Sequence, residues 1–156
     1  MGFEMIFRTV SEKDTYDFGS ALGKNLAAGD CVLLTGDLGA GKSVVARGIA
    51  GAHGITGAMP SPTFVLMIPY EGDVNVYHFD LYRMDDPDEF YQAGLQEYVG
   101  GDGIAVVEWP QMAELDPAGA IKVEVLRSDN DDDERIIHVD APENVLSAVE
   151  AWRIDE

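Results

Sequence analysis

The chain has 156 residues with 29 Asp and Glu against 10 Lys and Arg, a formal charge of −19. That balance excludes a freestanding DNA or RNA binder, because such binding draws its affinity from Lys and Arg neutralising phosphates, and it disfavours anionic membranes. At 46% hydrophobic and 25% charged the chain is globular rather than a disordered acidic tail, and its length predicts one domain over residues 1–156.

The N-terminus shows no basic start leading into an apolar leader, and Glu4 to Val10 reads as a short strand. Ser11, with Asp14 three residues on, predicts the N-cap of a helix carrying Phe18, Leu22 and Leu26 and closed by Gly29. Residues 31–35, CVLLT, form an apolar run expected of a parallel strand buried on both faces. Cys31, the single cysteine, excludes an internal disulfide and reads as a small core residue, which suits a reducing compartment. A glycine-rich loop follows, then a helix through VVARGIAGAH to Gly54. FVLMIPY and VNVYHFDLY predict two antiparallel strands joined by a tight turn at Glu71-Gly72-Asp73. An acidic helix is expected to start near Pro87, carrying Phe90, Tyr91 and Leu95; IAVVEW, IKVEVL and RIIHV are strands. Pro142 to Ile154 predicts an amphipathic helix with Val145, Leu146, Val149 and Trp152 inward. The sum is an α/β P-loop NTPase-like three-layer sandwich, with a mixed, partly parallel central sheet and helices on both faces. No stretch reaches the ~18 apolar residues of a membrane span, so a cytoplasmic location is expected.

Gly36-Asp37-Leu38-Gly39-Ala40-Gly41-Lys42-Ser43 matches G-x-x-x-x-G-K-[ST] in full, after an apolar strand and before a helix. The glycines let the backbone fold around phosphate oxygens, Lys42 is placed to reach the β and γ phosphates, and Ser43 offers its hydroxyl to Mg²⁺. The positive end of the following helix faces the same anion. Such a loop binds phosphate mainly through main-chain dipoles and one Lys, so it tolerates an acidic chain. Residues 1–69 carry five basic and six acidic side chains, and 70–156 carry five basic and 23 acidic, so the loop lies in the nearly neutral half.

The rest of such a site needs a carboxylate at a strand end for the metal and a group to order water or an acceptor. Asp80 closes VNVYHFD and Glu108 closes IAVVE; either suits Mg²⁺, and Glu108 alternatively orients the attacking water. Thr63, held between strand and loop by Pro60 and Pro62, reads either as a sensor of the γ-phosphate or metal or as part of a plain turn. His78 reads first as a structural histidine and only second as a catalyst.

GDLGAGKS, SPTF, YHFDLYR and VEWP, in this order and spacing, resemble the bacterial TsaE family, also called YjeE. With SEKDT near residue 13 and DDDER near residue 134, the resemblance covers nearly the whole chain. It implies an ATPase acting with TsaB and TsaD in forming N6-threonylcarbamoyladenosine beside the tRNA anticodon, resetting the complex rather than transferring the group. It further implies that residues 36–42 bind the phosphates, that Ser43 binds Mg²⁺, and that Thr63 belongs to a switch-like loop. Asp80 and Glu108 are assigned by it to metal and hydrolysis, with Lys42 at the phosphates; Trp109 packs beside Glu108, and Ser11 or Glu12 and Arg135 contact the nucleotide. Ser43 stands where the family usually has Thr, and the hydroxyl is kept. Given the charge, contact with tRNA is expected only through the partner proteins. The competing classes are a small-molecule kinase, a GTPase and a nucleotide-regulated module without turnover. Few basic residues follow position 70 to hold a kinase's second substrate, and no N-K-x-D segment is present to read guanine.

Overall fold

The computed structural model describes residues 2–56 and 66–154. The strands are β1 Phe3–Thr9, β2 Cys31–Thr35, β3 Met67–Tyr70, β4 Val76–Asp80, β5 Ile104–Glu108, β6 Ile121–Arg127 and β7 Arg135–Ala141. The helices are α1 Glu12–Lys24, α2 Lys42–Gly51, α3 Asp88–Gln92 and α4 Glu143–Leu146. All seven strands join one sheet in the order β1-β7-β6-β2-β5-β4-β3. β6, β2, β5 and β4 are mutually parallel, and β3, β7 and β1 add antiparallel at the two flanks.

The apolar runs at β2 and β5 follow from their central place, since a strand covered on both faces has no polar side to show. Val32 and Leu34 join Phe18, Val45 and Ile49 in the core beneath α1 and α2. Leu33 faces the other way, into a second cluster with Phe79, Phe90 and Val107. Helices therefore lie on both faces of a mixed sheet, the architecture expected from the sequence. α1 and α2 approach closely because small residues line their contact. A Cβ on Gly48 would stand 2.3 Å from the Tyr16 carbonyl oxygen, and one on Gly19 would stand 2.5 Å from that of Val45.

Four expectations need correction. α1 ends at Lys24, with Asn25 as C-cap, so Ala27 and Ala28 lie in the turn before β2. The connection between β3 and β4 spans residues 71–75 rather than a three-residue turn, and Asp73 N donates to the His53 carbonyl at 2.8 Å, tying it to the end of α2. The acidic helix stops at Gln92, because Gly94 adopts φ 73° and a 3₁₀ turn, Leu95–Tyr98, replaces further helix. Phe90 is buried there but Tyr91 is 46% exposed. The C-terminal segment is α for four residues only and continues as 3₁₀ over Ser147–Trp152. Val145, Leu146 and Val149 are buried as expected. Trp152 is half-buried, its Nε1 donating to Asp14 Oδ1 at 2.8 Å and its ring edge-on to Phe18, and Arg153 bridges to Phe7. These contacts with α1 and β1 draw the backbone away from a regular helix. Among the described residues no helix is long and apolar enough to cross a membrane.

Because the Gly48 contact is with backbone, Gly48→Ala is expected to destabilise the protein by about 1–3 kcal/mol, the usual range for overpacking, in urea unfolding. Cys31 is buried, which pushes its thiol up from 9.0 to about 12. The unfolded thiol ionises first, so the stability it confers is complete below about pH 9 and is lost as pH rises toward about 12. The stability gap between wild type and Cys31→Ala should narrow above pH 9 by at most about 1.4 kcal/mol per pH unit.

Candidate nucleotide site

β2, β5 and β4 end along one edge of the sheet, the carboxyl edge at which parallel strands present their ligands. Thr35 ends β2, Glu108 ends β5 and Asp80 ends β4, and the two carboxylate residues are register partners. The loop 36–41 leaves β2 and enters α2 at Lys42. Gly39 at φ 75° and Gly41 at φ 108° take conformations that side-chain-bearing residues rarely adopt. The ten-residue α2 begins at the loop, so its N-terminal amides are directed there.

Five of the six carbonyls of the loop have a donor. Lys42 Nζ donates to Gly36 O at 2.7 Å and Asp37 O at 2.8 Å. Arg127 Nη2 donates to Gly39 O at 2.9 Å, Arg135 Nε to Ala40 O at 2.6 Å, and Val45 N to Gly41 O at 3.2 Å. Arg127 and Arg135 are register partners on β6 and β7, so one hairpin delivers both guanidinium groups. Burial lowers the Lys42 pKa from its ordinary value, opposed by the charges of Glu108, Asp80 and Asp37. Trp109, at φ 58°, places its ring centroid 4.7 Å from Lys42 Nζ and packs against Tyr82 at 4.8 Å.

The two carboxylates differ in setting. Glu108 is 5% exposed, and His78 Nε2 donates to its Oε2 at 2.6 Å. His78 is 1% exposed, and its Nδ1 has no hydrogen-bond partner among the described residues. Asp80 is only half-buried and accepts from Tyr82 N at 3.1 Å. A hydroxyl at Ser43 and two carboxylates are hard oxygen donors, of the type Mg²⁺ takes when it shares its shell with phosphates. Among the described residues no group of three or more His, Cys, Asp or Glu forms a metal cage by itself.

A cavity of about 330 Å³ opens beside the loop, lined by Gly39, Gly41, Ser43, Glu12, Thr15 and Arg135. Ser11 lies next to it in sequence, but its Oγ accepts from Asp14 N at 3.0 Å and caps α1. Thr63, with Pro60 and Pro62, lies outside the described residues. A larger cavity, about 560 Å³, includes Glu4, Lys122, Glu124 and His138 and none of the predicted site residues. Sequence reasoning missed Arg127, whose signal was its place as the last residue of a strand mirroring Arg135 at the start of the next. It also missed the bond of His78 to Glu108, which requires knowing that β4 and β5 are neighbours.

The sheet, the loop between β2 and α2 and the flanking strand ends are those of a P-loop NTPase-like α/β protein. The family model "Threonylcarbamoyl adenosine biosynthesis protein TsaE" matches residues 9–137. The chain belongs to the TsaE family. It is 35% identical over 133 residues to the tRNA threonylcarbamoyladenosine biosynthesis protein TsaE of Bacillus subtilis, covering 84% of this chain and 83% of that one. The protein of the same name from Treponema pallidum is 40% identical over 99 residues, 64% of this chain and 73% of that one. The crystal structure of YdiB from Bacillus subtilis matches with a TM-score of 0.76 at 31% identity, over 97% of this chain and 95% of that chain.

Since Arg127 and Arg135 each donate to a main-chain carbonyl of the loop, Arg127→Ala and Arg135→Ala should speed hydrogen exchange at the Gly39–Gly41 amides. Amides in β2 and β5 should keep their protection, the signature of local rather than global opening.

Proposed function

We propose that this chain binds and hydrolyses Mg·ATP and acts with TsaB and TsaD in threonylcarbamoylation of adenosine beside the tRNA anticodon, in the cytoplasm. Its part in that reading is to reset the complex between turnovers, not to transfer the group. The observation that carries it is one sheet edge holding a complete phosphate loop, with Asp80 and Glu108 in register at the ends of the strands beside it.

In this reading the loop amides of residues 36–41, the α2 N-terminus and Lys42 hold the phosphates. The lysine already stands against the Gly36 and Asp37 carbonyls, so little reorganisation is needed to meet a β- or γ-phosphate. Ser43, Asp80 and Glu108 form the metal-side donor set, and the ion would neutralise charge on the transferring phosphoryl group. Glu108, buried and held by a hydrogen bond, suits the orientation of an attacking water; the more accessible, half-buried Asp80 suits the metal. Glu12, Thr15 and Arg135 of the adjoining cavity, with Ser11 next to Glu12 in sequence and with Thr63, complete the nucleotide contacts. Membership of the TsaE family supports the pathway, and a charge of −19 supports contact with tRNA through partner proteins alone.

ATP and GTP titration followed by phosphate release, with and without TsaB and TsaD, tests the reading. ATP should bind preferentially and release should rise in the complex; tight GTP binding without response to ATP would refute it. Lys42→Ala should weaken ATP binding at least about tenfold. Asp80→Ala and Glu108→Ala should slow hydrolysis at least about tenfold while changing affinity less. Unchanged phosphate release in both carboxylate variants would show the site assignment to be wrong.

A further inference from the structure

Glu108 is the most deeply buried carboxylate of the sheet edge, and what holds it is a histidine from the neighbouring strand. His78 stands opposite Val106 in the parallel β4–β5 pair, one pleat before the Asp80 and Glu108 partners. Strand alternation therefore puts His78, Asp80 and Glu108 on one face, the face of Val76, Ile104 and Val106 under α1 and α2. The imidazole lies beneath the carboxylate rather than beside it.

We propose that His78 is a positioning residue for phosphoryl transfer, its Nε2 holding Glu108 Oε2 and thereby presenting Oε1 to the phosphate loop; this rests on the ATPase reading above. Three features carry it. The 2.6 Å bond is charge-assisted in direction, since a carboxylate only accepts and Nε2 must donate. Glu has three side-chain torsions, and with one oxygen fixed the other has a defined place. Finally, His78 follows Val76 on the face packed under α1 and α2, is itself buried there, and leaves Nδ1 with no partner among the described residues. An apolar residue there would avoid that cost, so packing alone does not account for a histidine. Asp80, by contrast, has a local partner in the Tyr82 amide.

The test compares His78→Gln, whose amide nitrogen reaches the position of Nε2, with His78→Asn, which is polar but too short. Single-turnover ATP hydrolysis, ATP affinity and thermal melting are measured on the full chain for both variants, for Glu108→Gln and for the His78→Asn/Glu108→Gln double variant. His78→Asn should hydrolyse about 30-fold more slowly with affinity within about threefold of wild type, and His78→Gln should recover to within about fivefold. The double variant should be no slower than Glu108→Gln, because a residue acting through Glu108 has nothing left to act on. Long-range proton–nitrogen NMR without nucleotide should show a proton on His78 Nε2 in a strong hydrogen bond that changes in Glu108→Gln. Wild-type rates in His78→Asn, equal slowing by Asn and Gln, or multiplied effects in the double variant would overturn the proposal while leaving the ATPase reading standing. A wild-type chain that neither binds nor hydrolyses ATP would overturn both.

Discussion

In the ATP-binding reading the loop 36–41 offers amides to the ligand, so its carbonyls have to find donors elsewhere, and the side chains around it supply them. In a trans peptide the C=O and the following N–H point in opposite directions, so drawing the Ala40 carbonyl to Arg135 turns the Gly41 amide the other way. Lys42, Arg127 and Arg135 hold the loop at four carbonyls. Three of the ten cationic side chains of a strongly acidic protein are committed to this one loop. Their bonds define the loop's shape from within the chain, which is the preorganisation that a phosphate site needs.

This arrangement also explains why the C-terminal half, for all its acidity, belongs to the site. The hairpin of β6 and β7 is rich in Asp in its turn, yet the two residues that flank that turn, Arg127 and Arg135, reach the loop at the sheet edge. Arg135 further bonds the Asp132 and Glu134 carbonyls, which fixes the guanidinium through its own turn. The negative side chains are left at the surface, where water and salt screen them, while the positive ones work at short range through hydrogen bonds.

Legibility from sequence tracked how local the determining interaction is. The phosphate loop, the apolar strand before it and the helix after it were readable because seven or eight consecutive residues impose that geometry. Asp80 and Glu108 were found as polar residues closing apolar runs, and their pairing in register follows from the parallel neighbours β4 and β5. Where a helix depended on distant packing, the pattern misled: the helix expected to carry Phe90, Tyr91 and Leu95 stops at Gln92, since Gly94 ends regular helix and Leu95 falls in the 3₁₀ turn. The C-terminal residues kept their apolar pattern but lost their helix to contacts with Asp14, Phe18 and Phe7.

By itself the sequence determined the three-layer class, the phosphate loop and the identity of both strand-end carboxylates, because each is written in short runs whose backbone or burial preference is strong. Only the tertiary structure decided that His78 holds Glu108, that Arg127 joins Arg135 at the loop, and that Trp109 lies over Lys42. These pairings join residues 30, 88, 95 and 67 positions apart along the chain. Contacts of that range are set by strand order in the sheet, and strand order is settled by which faces can be buried together, not by the spacing of residues along any one segment.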